Sequence, residues 1–232
     1  MKTKFCLLIL ILILAGGCFA PVNLTYDGAK TLNKGQLEIQ GMYSSYNVTN
    51  DTLRTELINR NYGGSIGYGI TDKYTMKIRY EYIDPTITFQ NVFGEISEDF
   101  LGMNSMSYFE ITNKLMFIED ILTLSLPVGA YFYNSKALDV ANGGMGWFTL
   151  DPRLYISFFR KTNVFELSLV PKLHILVGTF GGYVTPGISL GMGLSSNLDK
   201  WSIRPEIGYD SYLSFGVGAS FIFNTGKPVP NK

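Results

Sequence analysis

The chain has 232 residues, with 19 basic against 19 acidic side chains, and only 16% of its residues are charged, well below the roughly 25% of an ordinary soluble domain. Aromatics reach 14%, through 15 Tyr and 16 Phe, and Gly is abundant at 25. This balance excludes a nucleic-acid partner held by net charge; sparse charge with many Gly and Tyr suits a sheet that faces lipid better than one that faces water.

Lys2 and Lys4 precede an apolar run over 5–15, the length of an export-signal core and too short to cross a bilayer. Leu14-Ala15-Gly16-Gly17-Cys18 follows. It resembles a lipobox, the site where a bacterial lipoprotein is acylated on cysteine and cleaved just before it, with Ala15 standing where Leu is usual. The rival is cleavage after Ala20, which leaves Pro21 beside the cut, an arrangement that generally blocks the ordinary signal peptidase. The expectation is a signal over 1–17, lipid attachment at Cys18 and a periplasmic linker over 18–34. A mature chain of this kind keeps one cysteine, so a disulfide framework is excluded. It also loses Lys2 and Lys4, leaving 17 basic against 19 acidic residues.

From residue 35 onward the recurring signal is period-two alternation between turn residues. The first strand is expected over 35–48, with Leu37, Ile39 and Tyr43 opposite Glu38, Gln40 and Ser44. The second covers 61–70. The third, over 74–83, sets Met76, Ile78, Tyr80 and Tyr82 against Lys77, Arg79 and Glu81. A fourth covers 105–117, with Glu110 and Lys114 on its polar face, and a fifth 121–133. The sixth, over 147–158, carries Asp151 and Arg153; the seventh, over 164–176, carries Glu166, Lys172 and His174. The last three are expected over 183–194, 201–210 (with Arg204, Glu206 and Asp210) and 212–223.

An even count of about ten strands, with short connections alternating with mostly longer ones, predicts an all-β fold: a closed antiparallel transmembrane β-barrel over 35–223 with a tail over 224–232. Gly218-Ala219-Ser220-Phe221-Ile222-Phe223 resembles the C-terminal insertion signal of bacterial outer-membrane β-barrel proteins, and Gly69-Ile70-Thr71-Asp72-Lys73-Tyr74 resembles their periplasmic turns. The resemblance is one of architecture. It implies an outer-membrane location with both termini periplasmic. As partners it implies membrane lipid and the machinery for barrel assembly and lipoprotein processing. The tail is a departure, since such proteins commonly end at the final aromatic. A secreted lipocalin-like barrel would also alternate, with its apolar face inside, but it would need more charge outside. Pro127, Pro152, Pro171, Pro186 and Pro205 fall inside expected strands, where a missing donor breaks a ladder. Several are therefore expected at bulges or strand ends.

Taken as a lumen, the polar face holds Glu38, Glu81, Glu110, Asp151, Glu166, Glu206 and Asp210 against Lys77, Arg79, Lys114, Arg153, Lys172 and Arg204. Near balance in a narrow barrel predicts an ion-pair network that stabilises rather than a filter that selects. His174 is the one histidine. Ser168, Asp210 and Ser211 are its candidate partners in a hydrolase or acyltransferase, but no spacing among them is diagnostic. No catalytic residue, cofactor or metal is assigned: one His without free Cys argues against zinc, and Glu95, Glu98 and Asp99 read as a solvated acidic loop. Gly63-Gly64 and Gly143-Gly144-Met145-Gly146 lack the partners of a phosphate loop. Three functions stay open: a structural or interaction barrel displaying loops at the cell surface, a narrow passive pore or lipophile conduit, and an envelope-modifying enzyme using His174.

Overall fold

In the long strands an outward apolar side chain alternates with an inward polar or small one, because successive side chains of a strand point to opposite faces. The computed structural model describes residues 22, 24–50, 55–91, 94–97, 105–133, 145–178 and 181–225. The expected signal over 1–17, Cys18, Glu98, Asp99, Gly143, Gly144 and most of the tail lie outside the described residues. The strands are β1 Gln36–Asn50, β2 Thr55–Thr71, β3 Tyr74–Asn91, β4 Gly94–Ser97, β5 Met106–Ile118 and β6 Leu122–Tyr133, followed by β7 Met145–Leu150, β8 Arg153–Lys161, β9 Phe165–Gly178, β10 Gly181–Leu194, β11 Trp201–Tyr209 and β12 Leu213–Asn224.

These segments form a closed antiparallel barrel of ten staves. β7 and β8 are two halves of one stave, both lying between β6 and β9, and β4 folds back on the far end of β3. Closure is made by β1, which pairs with β2 on one side and β12 on the other.

Two staves run further than the alternation indicates. β2 starts at Thr55 rather than 61, and β3 continues to Asn91 rather than 83. The physical reason lies at Arg60 and Asp84, which face each other across the pair. Beyond this charged pair the run of outward apolar residues ends, yet the backbone ladder continues to Thr55↔Phe89. The connection expected over 49–60 shrinks to 51–54. This end of the barrel, with its protruding arms, is the arm rim. The other, closed by tight turns such as Thr71–Tyr74, is the turn rim.

Pro152 sits at the break between β7 and β8, where Asp151 N donates to the Pro127 carbonyl at 3.1 Å and Leu173 N to the Pro152 carbonyl at 3.0 Å. Pro205 faces a gap in the β10–β11 ladder, where pairing lapses between Gly191↔Glu206 and Leu194↔Ile203 without a change of register. Pro127, Pro171 and Pro186 are in register with one neighbour. On the other side Pro127 faces the β7–β8 break, Pro171 a lapse between Arg153↔Lys172 and Ile156↔Leu169, and Pro186 lies beyond the start of the β10–β11 pairing. The prolines therefore fall at breaks and ends of ladders, not at bulges.

The outward face between the rims is hydrocarbon. Ile66, Phe109, Leu126, Val128, Phe215 and Phe221 all lie open on it, Phe221 at 56%. Tyr43, Tyr62 and Tyr82 stand side by side across β1, β2 and β3 below the arm rim, where amphipathic rings favour a membrane interface.

The linker expectation is corrected. Residues 22–34 do not trail outside the barrel; the described part of this segment runs through the lumen as a thread. Val22, Leu24, Tyr26, Ala29 and Leu32 are buried, and each inner apolar cluster contains a thread residue. Val22 packs with Ile83, Tyr108, Tyr131 and Leu176; Leu24 and Tyr26 with Met42; Ala29 with Tyr155 and Val170. The reason is volume and pairing. The lumen needs apolar filling, and a thread inside it can satisfy its peptide groups on wall side chains. β1 begins and β12 ends at one rim, with Gln36 opposite Asn224. The chain upstream of β1 has crossed to the other, so the ends of the barrel and the start of the thread lie at opposite rims.

Candidate functional site in the barrel lumen

The thread is held chiefly by its backbone. At the turn rim, Leu32 N donates to Thr75 Oγ1 at 2.9 Å, and Lys34 N to Asp72 Oδ1 at 2.9 Å. Higher up, Lys114 Nζ donates to the carbonyls of Gly28 at 2.6 Å and Lys30 at 2.7 Å. Ala29 N donates to Glu166 Oε1 at 3.2 Å, and Thr123 Oγ1 donates to the Ala29 carbonyl. The Glu206 carboxylate accepts from Thr25 N at 3.0 Å and from Tyr26 N. Gln40 Nε2 donates to the Tyr26 carbonyl and Arg79 Nη2 to the Leu24 carbonyl, both at 2.7 Å. At the upper end Val22 N donates to Tyr131 Oη at 3.2 Å.

Tyr26 is the tightest point. Its backbone takes the left-handed region, φ 54°, uncommon for a residue with a side chain and worth about 1–2 kcal/mol of strain. Such a conformation persists where surrounding contacts over-determine it. Here those contacts are Glu206, Gln40, the Tyr43 carbonyl that accepts from its hydroxyl at 3.1 Å, and Arg79 stacked 5.5 Å from its ring. The stave between Glu206 and Gln40, β12, makes room. A Cβ on Gly218 would meet Tyr26 Cβ at 2.7 Å, and one on Gly216 would meet Leu24 Cδ1 and the Tyr26 hydroxyl at 2.6 Å.

The thread also supplies a charge absent from the expected set. Asp27 accepts from Lys77 at 3.2 Å and Lys114 at 3.0 Å. Lys77 also reaches Glu38 at 2.7 Å, across the position of Gly67 on the stave between them. Higher in the lumen Arg79 pairs with Glu81, and Arg153 with Glu110 at 2.5 Å and Asp151 at 3.6 Å. Tyr108 and Thr112 hydroxyls donate to Glu110, each at 2.7 Å. Arg204 pairs with Glu166 at 3.0 Å. The sequence-derived lumenal charges are all buried except Arg204, which is half-buried. Lys172 lies opposite Arg153 and Gly187 in register. Glu110 engages Arg153 rather than the Arg79 beside it on β3, a choice that strand order alone does not determine. Near the turn rim a cavity of about 40 Å³ remains, lined by Asp27, Glu38, Lys77, Lys114, Asp199 and Arg204 among others, room for about one water.

His174 lies between two carboxylates, with Nδ1 3.3 Å from Asp151 Oδ1 and Nε2 4.0 Å from Asp210 Oδ2. Of its candidate partners, Asp210 is brought near. Ser168 is six residues away along β9, where its hydroxyl donates to the Gly191 carbonyl at 3.4 Å, and Ser211 N donates to Asp210 Oδ1 at 2.9 Å. The ring is 1% exposed, so it faces the packed interior and not a cleft.

Asp27 and Tyr26 were missed because 18–34 reads as a linker. One signal was present: Val22, Leu24 and Tyr26 already alternate at period two. A second is the small inward set Gly187, Ser189, Gly191, Gly193, Gly216 and Gly218, which cannot by itself fill a lumen.

No protein-family model and no curated protein matches the chain. Among solved structures, it is similar to the β domain of the Bordetella autotransporter BrkA at 10% identity, covering 82% of this chain and 100% of that one, TM-score 0.49. It is similar to the transport unit of the autotransporter AIDA-I from Escherichia coli at 11% identity, covering 93% and 96%, TM-score 0.42. The N-terminal β-barrel domain of OprF from Pseudomonas aeruginosa matches at 13% identity, covering 82% and 98%, TM-score 0.32. These likenesses are distant, and the functional reading rests on the chain's own geometry.

Proposed function

We propose that this chain is a bacterial outer-membrane barrel with a structural or interaction role, sealed by its own N-terminal thread, acylated at Cys18 and presenting its arm rim at the cell surface. The observation that carries this reading is the occupied lumen: residues 22–34 fill it and are gripped through backbone groups from several walls. The hydrocarbon outer face supports a membrane location, and the export signal with Leu14-Ala15-Gly16-Gly17-Cys18 supports the envelope and the anchor. In this reading the lumenal charges hold the thread and one another and do not select ions.

Planar-bilayer recording tests it. The purified protein is expected to give no steady conductance, and a variant losing two grips, Arg79→Ala with Glu206→Ala, to give channel openings. Steady conductance of the parent would return the pore reading. Mass spectrometry of the mature N-terminal peptide tests the anchor: a diacylglyceryl group on Cys18 is expected, and an unmodified start elsewhere removes that part.

A second reading is favoured by the wall gap at Pro205. An outward cavity of about 260 Å³ opens there, lined by Leu190, Met192, Pro205, Ile207 and Phe215 among others. It faces hydrocarbon, so an acyl chain of a membrane lipid is the ligand it fits. Met192→Trp is expected to reduce co-purified lipid; an unchanged lipid content removes this reading. The enzyme reading is weakened by the burial of His174.

A further inference from the structure

The thread has a direction, and the direction decides where the processed N-terminus emerges. Its successive grips climb β3 in order. Leu32 meets Thr75, Asp27 meets Lys77, Leu24 meets Arg79, and Val22 packs on Ile83. The thread therefore runs antiparallel to β3, from the arm rim at Val22 down to the turn rim at Leu32. The other neighbours of Val22 lie near the arm-rim ends of β5, β6 and β9.

Chain reach forbids a return. Four peptide units separate Cys18 from Val22, a span of at most about 14 Å. From the Ile83 level down to Tyr74 the wall is nine residues long, about 30 Å along the strand and about 23 Å in height at the usual tilt. The lumen that a returning chain would need is filled.

We infer that the mature N-terminus leaves the barrel at the arm rim, opposite the tight turns. Turns face the periplasm in barrels of this kind, so the exit is on the cell surface. An acyl group on Cys18 then enters the outer leaflet of the outer membrane, not the leaflet facing the periplasm. The sense of this placement rests on the outer-membrane reading above; the opposition between N-terminus and turns does not.

Impermeant maleimide labelling of whole cells tests it, with three single substitutions read against the labelling of the parent. Ala20→Cys reports the upstream end, Ser135→Cys the connection after β6, and Lys73→Cys the β2–β3 turn. The expected pattern is full labelling of Ala20→Cys and Ser135→Cys in intact cells, and labelling of Lys73→Cys only after the outer membrane is permeabilised. Protection of Ala20→Cys while Ser135→Cys labels overturns the inference and leaves the barrel's orientation standing. Protection of Ser135→Cys in intact cells overturns the orientation itself, and the surface exit with it. Should Ala20→Cys disturb processing beside Cys18, Pro21→Cys reports the same position.

Discussion

The two sides of the lumen are built on opposite plans. The wall of β3, β5 and β8 projects long charged side chains, Lys77, Arg79, Glu81, Glu110, Lys114 and Arg153, which are all buried and most of which pair with one another. The wall of β10 and β12 offers Gly187, Ser189, Gly191, Gly193, Ser214, Gly216 and Gly218, side chains too small to reach the axis. Wall side chains alone do not fill this lumen. The charged staves grip and β10 and β12 recede, while β11 between those two reaches the thread through Glu206, so the thread is seated against the small side chains.

The gripping wall gives the largest expected effect. Arg79→Ala leaves Glu81 buried without its cation and the Leu24 carbonyl without its donor. Removing one partner of a buried pair costs roughly 3–5 kcal/mol, so thermal unfolding in detergent should shift markedly downward. Any conductance that appears should show little ion selectivity. A selectivity change with unchanged stability would reverse the roles assigned to this wall.

The receding wall comes next. Gly218→Leu drives a side chain into Tyr26, and overpacking costs typically 1–3 kcal/mol. If the small wall were mere economy, the substitution would be neutral.

How far these walls were legible follows from what alternation records. Period two sorts Ile78 from Lys77 and Leu126 from Ser125, because one face meets hydrocarbon and the other does not. Barrel and lumenal face could therefore be read. It does not record pairings across the axis: Asp151 and His174 are 23 positions apart, and their approach depends on the break at Pro152. Nor does it register the arm over 55–59, where the outer face no longer needs to be apolar. The thread was hidden because Val22, Leu24 and Tyr26 make an alternating run too short to stand out.

Smaller effects sharpen the contrast. Thr123→Val removes a single hydroxyl donor to the Ala29 carbonyl, and a net loss of about 1 kcal/mol is expected, visible as a modest shift of the unfolding midpoint. Lys30→Ala breaks the pair with Asp199 at the turn rim, where both side chains are about 30% exposed. Solvent screening holds such a pair to about 0–1 kcal/mol, so the midpoint should barely move. A Lys30→Ala effect as large as that of Arg79→Ala would mean that the thread is held at its mouth and not along its length.

Hydrogen exchange of residues 24–32 in the intact, detergent-solubilised protein is the most direct measurement. Amides gripped inside a closed barrel exchange only when the barrel opens. Those of Thr25, Tyr26, Ala29 and Leu32 should therefore be protected on the same timescale as the ladder amides of β3, which are paired to β2 and β5. Exchange of these amides within seconds, while β3 stays protected, would mean that the lumen is not occupied by the thread.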